Sequence, residues 1–102
     1  MALTCRLETE NGEVLREVND GDDLLHRLLP KPDDESFHCL RFVDWYGDTV
    51  FNRPQVERVL VELDLLQRRA STPAERQLLE RIEQLARQCR DGVHLYLKFS
   101  GD

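Results

Sequence analysis

The sequence of 102 residues has no apolar run long enough to cross a bilayer as a helix. An N-terminal signal peptide is not indicated either, because Glu8 falls where such a peptide would need its apolar core. These two features predict a cytoplasmic protein with no membrane contact.

The sequence also lacks the motifs that carry common catalytic chemistry. It has no G-x-S-x-G, no glycine-rich phosphate loop, no dinucleotide fingerprint and no H-E-x-x-H. The three histidines do not combine with the cysteines in any recurring zinc-ligand spacing; they are His26, His38 and His94. We therefore predict no catalytic residue, no metal site and no cofactor.

Cysteine is scarce, since the chain has three and no Cys-x-x-Cys pair. Cys5, Cys39 and Cys89 each lie in register with apolar neighbours. In a reducing compartment this pattern predicts buried thiols that fill the core.

Charge is plentiful but uneven. Residues 1–36 hold ten acidic and four basic side chains, whereas residues 37–102 hold ten of each, so the first part carries the whole net charge of −6. An acidic surface repels nucleic acid and anionic lipid. We expect no nucleic-acid partner, and the asymmetry is compatible with a basic protein partner.

Hydrophobic periodicity predicts five strands and three helices. Alternation around Asn11-Gly12 indicates a hairpin that pairs Arg6 with Glu17 and Cys5 with Val18. A short helix follows Asn19 or Asp20, and residues 37–43 and 49–52 have the pattern of two further strands. Two long helices begin after the capping residues Asn52 and Thr72, each with Pro in its first turn. A last strand covers residues 93–99, with Val93 on the inner face.

The order β-β-α-β-β-α-α-β has no repeating β-α-β rhythm, so a doubly wound parallel sheet is disfavoured. We predict one domain over residues 1–102. Its class is α+β: a mostly antiparallel five-stranded sheet with a two-helix hairpin packed on one face.

The stretch FVDWYGDTVFN, residues 42–52, is the least generic part of the chain. Asp44 to Asp48 would form the loop of a central hairpin, and Trp45 and Tyr46 are residue types that dominate protein interfaces. The same loop also fits a plain turn whose aromatic side chains fold back over the core.

The first long helix has an apolar stripe, from which Val61 and Leu65 deviate. They lie on its opposite side. Either another helix of the same chain covers them, or they contact a partner or a second copy of the chain.

Two functions remain open. The first is a non-enzymatic protein-interaction module, of the accessory, inhibitor or immunity type found in bacteria. Its contact surface would combine the acidic N-terminal region with Trp45 and Tyr46, and its partner would be another protein or a second copy. The alternative is a small ligand-binding domain or enzyme with a pocket near the Asp44–Asp48 turn, to which Arg41 or His38 could contribute.

Overall fold

A computed structural model describes residues 2–101 and shows an α+β fold. The four strands are β1 (Thr4–Thr9), β2 (Val14–Asn19), β3 (Asp48–Phe51) and β4 (Leu95–Ser100). The α-helices are α1 (Leu25–Leu28), α2 (Arg53–Arg69) and α3 (Pro73–Asp91), and a short 3₁₀ helix spans Leu40–Phe42.

The four strands form one antiparallel sheet in the order β2-β1-β4-β3. The predicted register of the first hairpin is confirmed, because Arg6 faces Glu17 and Cys5 faces Val18. The turn itself is longer than two residues: Thr9 donates its N–H to the carbonyl of Glu13, and Gly12 has a φ of +84°. A bulge changes the register between Leu7, which faces Arg16, and Glu8, which faces Val14. The predicted pairs lie on the side of the bulge away from the turn.

Both long helices begin as predicted. Asn52 and Thr72 each form a reciprocal capping box, with Gln55 and Glu75 respectively, and a proline occupies the first turn of each helix. Asp20 stabilises the start of α1, because its carboxylate accepts the N–H groups of Leu24 and Leu25, both at 2.8 Å.

The α2–α3 hairpin packs on one face of the sheet. Helix α3 contacts β1, β2 and β4, while α2 contacts β4. Apolar side chains of sheet and helices share one core, which includes all three cysteines; its largest fully buried members include Phe37, Phe99, Leu79 and Ile82. The opposite face of the sheet carries polar side chains such as Arg6 and Lys98.

The predicted fifth strand, residues 37–43, is wrong. This segment is a loop followed by the 3₁₀ helix, so the sheet has four strands among residues 2–101. The prediction that Asp44–Asp48 closes a central hairpin fails with it, since these residues connect the 3₁₀ helix to β3. Val93 is also misassigned: it precedes β4 and is 72% exposed.

A buried carboxylate explains why residues 37–43 are not a strand. Glu62 of α2 is completely buried, and its oxygens accept the N–H groups of three consecutive residues, His38 at 2.8 Å, Cys39 at 3.1 Å and Leu40 at 2.8 Å. In a strand, successive N–H groups point in opposite directions. Three successive N–H groups can converge on one carboxylate only if the backbone curls, as it does in the backbone concavities that bind anions.

Arg58 completes this arrangement. Its Nε lies 2.9 Å from Glu62 Oε2, and it also donates to the carbonyl oxygen of Ser36. The buried charge of Glu62 is therefore both paired and hydrogen-bonded, which offsets the cost of its burial.

We predict that Glu62→Gln destabilises the fold by roughly 2–4 kcal/mol, because an amide nitrogen would face backbone donors and Arg58 would lose its partner. Denaturant unfolding measures this loss. Glu57→Gln is the matched control on α2, since Glu57 is exposed, and we expect a change within about 0.5 kcal/mol. Equal stability of the two variants would contradict the role assigned to Glu62.

Candidate functional site

The candidate site is the segment Arg41–Tyr46, which we call the aromatic loop. It lies at the end of the sheet where β1 begins and β4 ends, because Asp48 pairs with Ser100 and Ser100 pairs with Thr4. Gly101 donates its N–H to the carbonyl oxygen of Gly47 at 2.8 Å. Gly101, which follows β4, therefore lies directly against this segment.

Hydrogen bonds fix the backbone of the aromatic loop. The Asp44 N–H donates to Thr49 Oγ1 at 2.9 Å, and the Tyr46 N–H donates to Asp44 Oδ1 at 2.8 Å. A Cβ atom at position 101 would lie 2.1 Å from the Trp45 carbonyl oxygen, so only glycine permits this close approach. The loop thus presents its side chains from a defined backbone.

Its aromatic side chains have different environments. Tyr46 is 74% exposed and Phe42 is 59% exposed. Trp45 is half-buried: it packs against the core, and its ring makes an edge contact with His26 at a centroid distance of 5.6 Å. The predicted pair Trp45 and Tyr46 therefore divides into one ring that anchors the loop and one that faces outward.

The strand predicted over residues 37–43 does not identify Phe42 as a surface residue. The Arg41 guanidinium stacks on this ring, with its Cζ 4.6 Å from the ring centroid. Arg41 Nε is shielded from solvent and has no hydrogen-bond acceptor within residues 2–101.

Asp44 and Asp48 have different partners in the structure. Asp44 closes the turn through the Tyr46 N–H. Asp48 belongs to a polar network on the open face of the sheet, where it accepts the Ser100 hydroxyl at 2.9 Å and lies 3.4 Å from Lys98 Nζ. His38 is exposed, and only its backbone N–H reaches Glu62.

Val61 and Leu65 also differ from each other. Leu65 is half-buried and packs against the core of its own chain. Val61 is 50% exposed and lines a groove between α2 and α3 together with Leu60, Asp64, Glu83, Arg87 and Arg90. Of the two, only Val61 is placed for contact with another molecule.

The cysteines occupy the core. Burial raises the pKa of the Cys5, Cys39 and Cys89 thiols, and a thiol held in its protonated form is a poor nucleophile. Within residues 2–101, no group of three or more His, Cys, Asp or Glu side chains is arranged to hold a metal ion.

Comparisons with known proteins give no relative: no protein-family model, curated protein or solved structure matches this chain. None of the helices in the described part of the chain has both the length and the apolar character needed to span a bilayer.

The environment of Asp48 makes stability pH-dependent. The Ser100 hydroxyl, followed by Lys98, holds the pKa of the Asp48 carboxyl below its ordinary value of 3.8. A carboxyl whose pKa is lower in the folded state stabilises the fold above its unfolded pKa, and this contribution is lost as the pH falls through the folded pKa.

We therefore expect Asp48→Asn to lose less unfolding free energy than the wild type when the pH falls from about 4 toward the folded pKa. Denaturant unfolding at a series of pH values measures this difference. Asp33→Asn is the control, because Asp33 is an exposed loop residue outside this network. Parallel pH profiles for the wild type and Asp48→Asn would contradict the prediction.

Proposed function

We propose that this protein acts by binding another protein through its aromatic loop. The observation that carries the proposal is the exposure of Phe42 and Tyr46 on a backbone that is held in place from several sides. Large rings exposed on a fixed loop do not contribute to the protein's own core.

The physical chemistry of interfaces supports this proposal. Tyrosine and arginine are enriched among the residues that contribute most of the binding energy, and Tyr46 and Arg41 both lie in this loop. A loop that is already ordered loses little conformational freedom on binding. The Trp45 ring, packed on the core, supplies part of that order.

The contact surface is smaller than the sequence predicts. Glu10 and Glu13 of the acidic N-terminal region lie at the β1–β2 turn, which is at the opposite end of the sheet from the aromatic loop. The proposed surface is therefore the aromatic loop without the acidic hairpin turn.

The alternative, a ligand pocket at the Asp44–Asp48 turn, is less well supported. Such a pocket needs polar groups that converge on an open cavity. Asp44 and Asp48 instead use their carboxylates within the fold, for the Tyr46 N–H and for Ser100 and Lys98 respectively.

Site-specific photo-crosslinking in the native host tests the proposal. A photoreactive phenylalanine analogue at position 46 should give a discrete crosslinked product, because Tyr46 would lie inside the interface. The matched control is position 93, since Val93 is 72% exposed and lies at the far end of the sheet. The same products from both positions, or none from position 46, would contradict the proposal.

Self-association is a second candidate, favoured by the groove at Val61. Its half-exposed valine forms a small apolar surface, which two copies related by a two-fold axis would bury against each other. The charged side chains around it already pair within the chain, Asp64 with Arg68, Glu83 with Arg87 and Arg90 with Asp91.

For this second candidate, light scattering during gel filtration should show a dimer for the wild type and a monomer for Val61→Glu. The variant would place a carboxylate inside the apolar contact, and burying a charge there is costly, so it destabilises the dimer. Val93→Glu is the control and should remain dimeric. A wild type that is monomeric at high protein concentration excludes this candidate.

A further inference from the structure

We infer that the partner of the aromatic loop presents a carboxylate to Arg41, next to an apolar side chain that contacts Phe42. This inference rests on the proposed function and adds the chemistry that the partner must supply. It is carried by the unpaired guanidinium of Arg41.

Among residues 2–101, no carboxylate forms an ion pair with the Arg41 guanidinium. It forms no hydrogen bond or ion pair with any of residues 2–101, and its Nε is shielded from water. Asp44, the nearest acid along the loop, directs a carboxylate oxygen to the Tyr46 N–H instead.

A second arginine of this chain shows the arrangement that Arg41 lacks. Arg69 stacks on the Phe37 ring, with its Cζ 4.8 Å from the ring centroid, and its Nη2 lies 3.4 Å from Asp34 Oδ2. Arg41 stacks on Phe42 at a similar distance, with its Cζ 4.6 Å from the ring centroid, but no carboxylate of residues 2–101 forms an ion pair with it. The Arg41–Phe42 pair therefore has the same stacking as Arg69 and Phe37, but it lacks the acid that Asp34 supplies to Arg69.

Stacking on the Phe42 ring orients the Arg41 guanidinium before an anionic acceptor binds. The guanidinium carries five donors in a rigid plane, and its contact with the Phe42 ring restricts where that plane lies. With Nε shielded, the Nη groups remain to bind a carboxylate, and a charge-assisted bond of this kind is stronger than a neutral one.

The exposed Phe42 ring is the apolar part of the proposed binding surface, beside the Arg41 charge. Phe42 is 59% exposed beside this cation, so a ligand that reaches Arg41 also covers apolar ring surface. The expected ligand is an acidic side chain adjacent to an apolar or aromatic one in a protein segment. A purely basic segment would meet the Arg41 charge with repulsion.

Selection from a random peptide library on the immobilised full chain tests this inference without a known partner. We expect the enriched peptides to share an Asp or Glu next to an apolar residue. Titration of the consensus peptide should show affinity that falls roughly tenfold to a hundredfold for Arg41→Gln. Arg81→Gln, which changes an exposed arginine on α3, should leave the affinity unchanged.

A double-mutant cycle then identifies the contact itself. Replacing the peptide acid by its amide should weaken binding to the wild type as much as Arg41→Gln does, and should add little further loss with Arg41→Gln. A merely structural role of Arg41 would give additive losses.

The outcomes separate this inference from the proposed function. Peptides whose binding depends on Tyr46 but that contain no acid, or losses that are additive in the cycle, overturn the inference and leave the aromatic loop as the binding surface. Failure to enrich any peptide whose binding depends on Tyr46 or Arg41 overturns both.

Discussion

The structure depends on one carboxylate that α2 places inside the core. Glu62 accepts three consecutive backbone N–H groups from residues 38–40 and pairs with Arg58. A carboxylate can leave water at acceptable cost only when it is fully hydrogen-bonded and paired. Here the partners are backbone groups of a segment that could otherwise have joined the sheet. Satisfying Glu62 therefore determines the path of that segment.

This path leads to the candidate site. Once residues 38–40 curl around Glu62, the chain continues into the 3₁₀ helix, which ends at Phe42 and buries Leu40 while leaving the Phe42 ring outside. Val43 returns to the core, and Trp45 packs against it two residues later. The exposed rings thus lie between buried anchors, which explains how a short loop can present large aromatic side chains in a fixed position.

The elements specified by local sequence could be predicted, and the one specified by a distant contact could not. The helix caps at Asn52 and Thr72 and the Arg6–Glu17 and Cys5–Val18 pairs of the first hairpin depend on neighbouring residues, and these predictions are confirmed. Residues 37–43 have the sequence pattern of a strand, but the carboxylate that accepts their N–H groups belongs to Glu62, more than twenty positions later.

The sequence contains one signal of this contact. Glu62 falls among Val59, Leu63 and Leu66 on the apolar stripe of α2, and an acid in that position needs a buried partner. The same error concealed the exposure of Phe42 and its contact with Arg41. Tyr46 follows that segment, and its role in an interface stays a prediction.

Two of the charged side chains near this loop, Glu62 and Arg41, differ in how many of their polar atoms are hydrogen-bonded. Glu62, on the inner side, has every acceptor engaged and is therefore a structural group with no capacity for a further ligand. Arg41, on the outer side, has guanidinium donors that make no hydrogen bond with any of residues 2–101. Natural folds satisfy nearly all shielded polar groups, so an unused donor beside exposed rings is more informative than the rings alone. Exposed aromatic side chains indicate that a surface binds, whereas an unpaired guanidinium specifies the charge of what it binds, and only the second property distinguishes one class of partner from another.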